Sequence, residues 1–150
     1  MKFTDLHVAI AGGGSTYTPG IVQAMLHNSD RFPVSKITLY DIDEERNEDM
    51  KLIVKYMLEN DGYDNVELNA TLDPEEAFTG CDFVFSQIRV GGMEMREKDE
   101  KIPLSHGLVG QETCGVGGFS YGLRSIKGLL GVVGYVQEYS PDAWILNYTN

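Results

Sequence analysis

The sequence predicts an α/β domain built on a doubly wound parallel sheet with flanking helices. Three observations predict it. A short apolar run over 6–11 ends in Gly12-Gly13-Gly14-Ser15, segments of strand and helix character alternate along the chain, and an acid, Asp41, closes the second apolar run. Such alternation is the grammar of βαβ units, because parallel strands need a long crossover between them.

The run over 6–11 is apolar at nearly every position, as a strand covered on both faces must be. After the glycines, Pro19 suits a first helical turn, and Ile21, Val22, Met25 and Leu26 share one helical face. A second strand is expected over 36–40. Met50, Ile53, Val54, Met57 and Leu58 then make an amphipathic helix of 44–60, which Asp61-Gly62 stops. A third strand over 66–71, a short helix capped by Asp73 over 73–78 and a fourth strand over 82–88 follow. Two more helices are expected, a charged one over 94–101 that ends before Pro103 and a long one over 122–139. Gly128, Gly131 and Gly134 in the latter each cost roughly 1 kcal/mol of helix propensity against alanine, which points to a face pressed closely against the sheet. A fifth strand over 143–148 completes one Rossmann-like domain spanning 1–150, without repeat, linker or low-complexity tract. The chain stops straight off that strand, where doubly wound folds place site residues, and reads as cut rather than finished.

Charge and composition exclude several functions. With 23 acids against 12 bases among 150 residues the formal charge is -11, a surface that repels phosphate backbones, so no nucleic-acid partner is expected. No run approaches the roughly 20 apolar residues of a membrane span, and no apolar leader opens the chain. Cys81 and Cys114 are too few and too far apart for a disulfide framework or a zinc knuckle, and His7, His27 and His106 form no pair with metal-ligand spacing. A cytoplasmic location is expected. Cys114, with no nearby histidine to activate it, is expected to be a buried and inert thiol.

The glycine turn suggests the chemistry. Gly12, Gly13, Gly14, Ser15 and Thr16 follow a strand and open a helix, where missing β-carbons let backbone amides approach a pyrophosphate at a helix N-terminus. Asp41, 27 residues beyond Gly14, stands where an acid accepts hydrogen bonds from a ribose diol and repels a 2′-phosphate, favouring NAD over NADP. Tyr17 replaces the third glycine of the usual fingerprint. An ordinary NAD-dependent 2-hydroxy acid dehydrogenase, or a non-catalytic nucleotide-sensing domain, would share these features.

Three further strings are specific. They are Ile88-Arg89-Val90-Gly91-Gly92-Met93-Glu94-Met95-Arg96, then Gly110-Gln111-Glu112-Thr113-Cys114-Gly115, and Leu146-Asn147-Tyr148-Thr149-Asn150. With the opening Ala-Gly-Gly-Gly-Ser-Thr and the Tyr121-Gly122-Leu123-Arg124-Ser125 string, the chain closely resembles glycoside hydrolase family 4 along its whole length. Within that family the strings around Cys114, Arg124 and Asn150 look most like 6-phospho-α-glucosidases, with 6-phospho-β-glucosidases the alternative. Val116 departs from the proline usual in the family.

The resemblance implies a redox route rather than two-carboxylate hydrolysis. NAD takes hydride from C3 of a 6-phospho-glucoside such as maltose 6-phosphate, a tyrosine base removes the acidified C2 proton beside a divalent metal (typically manganese), and the aglycone leaves by elimination. Water then adds and the hydride returns. Gly12, Gly14, Ser15 and Asp41 match the cofactor site, Arg96 and Asn150 match substrate contacts, and Glu112 matches an acid near the base and metal. The metal ligands and catalytic base are implied to lie beyond residue 150, which would leave this segment inactive alone. A homo-oligomer, dimer or tetramer, is also expected.

Overall fold

The structure, a computed structural model, describes residues 4–149. Its elements run β1 (Leu6–Ala11), α1 (Thr18–Leu26), β2 (Val34–Tyr40), α2 (Glu44–Asn60), β3 (Glu67–Thr71), α3 (Pro74–Phe78), β4 (Phe83–Ser86), α4 (Gly92–Ser105), α5 (Gly115–Tyr139) and β5 (Trp144–Asn147). All five strands are parallel, in the order β3-β2-β1-β4-β5. The Rossmann-like doubly wound sheet expected from the sequence is therefore the fold.

Central β1 is buried at every position and divides its side chains between two cores. Val8 and Ile10 face Val22, Met25 and Leu26 of α1 and Met50, Val54 and Leu58 of α2. On the other face the small Ala9 and Ala11 leave room for Ala77 and Phe78 of α3 and for Val132 and Val136 of α5. Asp43 caps α2 by accepting the Arg46 N–H at 3.2 Å, and Asp73 caps α3 by accepting the Glu75 N–H at 2.9 Å.

Several boundaries differ from expectation. β2 starts two residues earlier, at Val34, and β4 ends at Ser86, because the chain turns off the sheet toward α4. The helix expected over 94–101 extends from Gly92 to Ser105 and contains Pro103 in its last turn, where the missing N–H cannot make the usual bond to the Asp99 carbonyl. α5 begins at Gly115, seven residues before the expected start. There, packing overrides propensity: a β-carbon on Gly117 would lie 2.6 Å from the Asp99 carbonyl oxygen of α4, so the bare backbone lets the two helices touch. Close packing also explains Gly128, whose β-carbon would meet Val90 Cγ2 at 2.7 Å, but Gly131 and Gly134 have open space beside them. The expected glycine face against the sheet is thus one contact, made with the segment after β4.

At the amino edge of the sheet, His7 is buried between Thr38 and Gly80. Its Nε2 lies 2.9 Å from Thr38 Oγ1 and its Nδ1 3.3 Å from the Gly80 carbonyl oxygen. Burial, reinforced by the Lys36 charge, holds its pKa below the ordinary 6.5. The unfolded chain therefore takes up the proton more readily than the fold. The contribution to stability is complete above pH 6.5 and is lost as the pH falls from there toward the lowered folded pKa. Urea midpoints should fall between pH 7.5 and 5.5 (both about one unit from the ordinary histidine value), and His7→Gln should flatten that fall. A wild-type midpoint that stays constant would rule out this role.

Candidate active site

The carboxyl edge of the sheet opens into a cleft of about 1510 Å³, walled by the glycine turn, the end of β2, the segment after β4 and one face of α5. Such a position, beside the switch between β1 and β4, is where doubly wound sheets bind ligands.

The glycine turn is tied into the fold. Gly12 and Gly13 donate their N–H groups to the Tyr40 carbonyl at 2.8 and 2.9 Å, and Gly14 donates to Asp41 Oδ2 at 2.8 Å. Ser15 donates to the Gly12 carbonyl at 3.1 Å, while Tyr17 N–H reaches Ser15 Oγ at 3.2 Å. The Thr16 N–H has no partner among the described residues, and Thr16 lines the cleft. Glycine is required at position 13, because a β-carbon there would sit 2.7 Å from both Asn47 Oδ1 and Leu39 Cβ. Asn47 itself is buried, donates to the Leu39 and Thr71 carbonyls at 3.1 and 3.2 Å, and holds the ends of β2 and β3 together.

Asp41 is a strut as well as an acceptor. Besides the Gly14 bond, its Oδ1 takes the N–H groups of Ile42 and Asp43 at 2.8 and 3.2 Å. A carboxylate has about four acceptor positions, so one remains for a ligand hydroxyl. Behind Asp41, Tyr40 and Tyr135 pack on Phe78 with ring centroids 5.0 and 6.0 Å away. Burial and the neighbouring Tyr135 push the Tyr40 phenol up to about 12, so it stays neutral.

The far end of the cleft is cationic. Arg96 lies on α4, and its Nε sits 2.6 Å from Glu112 Oε2 and 2.9 Å from Glu100 Oε1. Glu112, in the segment between α4 and α5, also meets Arg89 Nη1 at 3.4 Å. One carboxylate thus bridges two guanidiniums. Arg124 forks onto Asp99 with 2.5 and 3.3 Å bonds and donates from Nε to the Val90 carbonyl at 3.0 Å. The Arg89 and Arg124 guanidiniums lie 5.6 and 5.7 Å from the Tyr121 ring centroid, within cation–π range.

Of the residues singled out in the sequence, Gly12, Ser15, Thr16, Asp41, Arg96 and Glu112 all line this one cleft. Asn150 lies outside the described residues. Gln87, Arg89 and Arg124 also line the cleft, with Tyr121 packed against the two guanidiniums, and the sequence reading singled out none of them as a site residue. Arg89 had a usable signal, since it follows the fourth strand at the edge where doubly wound sheets carry their sites. Cys114 requires a correction: it is exposed at the start of α5, and the buried thiol is Cys81, which burial raises to about 12. Among the described residues, no group of three or more His, Cys, Asp or Glu side chains could hold a metal ion.

A parallel sheet with a glycine turn after β1 and an acid after β2 defines a dinucleotide-binding domain of the Rossmann class. The chain belongs to glycoside hydrolase family 4: the sequence pattern of the "Family 4 glycosyl hydrolase" matches residues 7–150. It is 56% identical over 143 residues to 6-phospho-alpha-glucosidase 1 of Lacticaseibacillus paracasei, covering 95% of this chain and 32% of that protein. The 6-phospho-beta-glucosidase of Escherichia coli is more distant, at 41% over 147 residues, or 97% of this chain and 32% of that protein. Two crystal structures of 6-phospho-alpha-glucosidases from gut microorganisms superpose with a TM-score of 0.92 each. One, 43% identical, is in complex with NAD and Mn2+, and the match covers 97% of this chain and 33% of that one. The other, 48% identical, holds NAD and glucose-6-phosphate, with 97% and 34% covered. The chain therefore spans about a third of the length of these relatives.

Proposed function

We propose that this chain supplies the NAD site and part of the sugar-phosphate site of an NAD- and divalent-metal-dependent 6-phospho-α-glucosidase. The observation that carries the reading is the single cleft whose one end holds the glycine turn and Asp41 and whose other end gathers Arg89 and Arg96 around Glu112. The greater similarity to 6-phospho-alpha-glucosidases supports the α preference. The unpartnered Thr16 N–H and the remaining acceptor position of Asp41 fit a dinucleotide, with Thr16 at the pyrophosphate and Asp41 at the ribose. When bound, NAD supplies a hydride acceptor for the sugar.

This chain's own residues bind and orient. The Thr16 N–H, presented by the turn that Gly12 to Ser15 shape, meets the anionic bridge of the cofactor, and Asp41 fixes the ribose by hydrogen bonds. At the other end a sugar phosphate competes with the Glu112 carboxylate for Arg89 and Arg96, its higher charge favouring the exchange. The displaced Glu112 is then free to accept a hydrogen bond from the sugar, and Asn150 contributes a further amide to it. No step through manganese is assigned to the described residues. No described helix is long and apolar enough to cross a membrane, and a cytoplasmic homo-oligomer, dimer or tetramer, completes the reading.

In calorimetric titration NAD should bind more tightly than NADP, and Asp41→Ala should weaken NAD by about 1–3 kcal/mol through the lost charge-assisted bond. NADP binding equal to or tighter than NAD would remove the ribose role of Asp41. Glucose 6-phosphate should bind more weakly to Arg96→Ala, while NAD affinity stays close to wild type. Unchanged glucose 6-phosphate binding would place the phosphate elsewhere.

A further inference from the structure

Gln87 follows β4 and sits two residues before Arg89, yet its side chain reaches back into the glycine turn. Its Nε2 donates to the Gly12 carbonyl at 3.0 Å and to the Thr18 hydroxyl at 2.7 Å. Thr18 in turn gives its own proton to the Gly13 carbonyl at 2.7 Å. These acceptors fix which way the amide faces, since only its NH2 can serve a carbonyl. The cost of that orientation is visible: Gln87 Oε1 is buried without a partner.

The backbone of Gln87 is engaged at the same place. Its N–H donates to the Ala11 carbonyl at 2.9 Å, extending the β1–β4 ladder beyond Ser86. Its carbonyl oxygen stands 3.0 Å from where a β-carbon on Gly12 would be, at a glycine whose φ is +88°. Gly12 therefore cannot move without moving Gln87, and Gln87 leads directly into the segment that carries Arg89. That segment is held from the other side by Arg124, through the Val90 carbonyl.

We propose that Gln87 is a positioning residue that couples the two ends of the cleft. Its amide latches the cofactor turn to the segment bearing Arg89, so that a dinucleotide held by the turn also fixes a cation that meets the sugar phosphate. The inference rests on the cofactor reading above and adds a linkage to it. Linkage is reciprocal, so each ligand must tighten the other by the same factor.

The test is a binding cycle on the full 150-residue chain. Calorimetry gives the Kd of glucose 6-phosphate with and without saturating NAD, and of NAD with and without glucose 6-phosphate. In the wild type each should tighten the other by about fivefold or more. Gln87→Met, which keeps the length and loses the donor, should reduce that factor to below about twofold, and so should the near-isosteric Thr18→Val. The double variant should lose no more than either single one, because both changes break one latch. A general loosening of the fold would weaken both ligands but leave the ratio intact. A wild-type factor near one, or a factor retained in both variants, overturns the coupling while leaving the cofactor reading in place. Failure of the wild type to bind NAD at all overturns both. Should Gln87→Met not fold, Thr18→Val decides the matter alone.

Discussion

Arg124→Ala should destabilise the fold by about 3 kcal/mol, the lower end of the range for removing one partner of a buried ion pair. The side chain left behind is Asp99, 5% exposed, whose two carboxylate oxygens both face the Arg124 fork. Arg124 keeps 21% of its own side-chain exposure, which is why the lower end applies. The loss should reach the cleft as well. Arg124 holds the Val90 carbonyl and shares the Tyr121 ring with Arg89, so glucose 6-phosphate binding should weaken along with the urea midpoint. Asp99→Asn in the Arg124→Ala background should recover part of the stability by removing the stranded charge. A single variant as stable as wild type would show that the Asp99 charge is compensated from another direction.

Phe78→Ala should cost about 3–5 kcal/mol, the usual toll of emptying a large aromatic site. Phe78 is fully buried and fills the floor on which Tyr40 and Tyr135 lean. Tyr40 is the residue before Asp41, and its carbonyl receives the Gly12 and Gly13 N–H groups, so the vacated space lies directly behind the cofactor turn. NAD affinity should fall with stability, and Phe78→Leu, which refills most of the volume, should restore the larger part of both. Thermal denaturation with and without NAD checks the pair. Full NAD affinity in Phe78→Ala would show that the turn does not depend on the aromatic floor.

The sheet was legible because central β1, buried on both faces, spells out an apolar run beside the glycine turn, and because Asp43, Asp73 and Pro19 mark helix starts through local chemistry. The start of α5 was not legible. Gly117 there lies against both the Gln111 and the Asp99 carbonyls, the latter 18 residues away in sequence, and no periodicity announces such contacts. The exposure of Cys114 was not legible for a related reason. Cys114 was assigned from its lack of a reactive partner, which says nothing about solvent, whereas Cys81 packs with Phe78 and Val84 in the core behind β4. At the site, the glycine turn and Asp41 announce themselves by spacing from strands. Gln87, Arg124 and Tyr121 act through partners 12 or more residues away, and a single side chain in a sequence does not reveal its partner.

The chain carries a net charge of -11, yet Arg46, Arg89, Arg96, Arg124 and Lys127 all line the cleft. Far from the protein, where only the total charge is felt, a dianionic sugar phosphate is pushed away, and it meets attraction only within about 10 Å, the Debye length at 0.1 M salt. Moderate added salt should therefore speed its arrival by screening the outer repulsion, the reverse of an electrostatically steered encounter. Higher salt should then shorten its stay by weakening the inner contacts. Binding would be tightest at an intermediate ionic strength, a signature set by where twelve basic residues fall among twenty-three acidic ones.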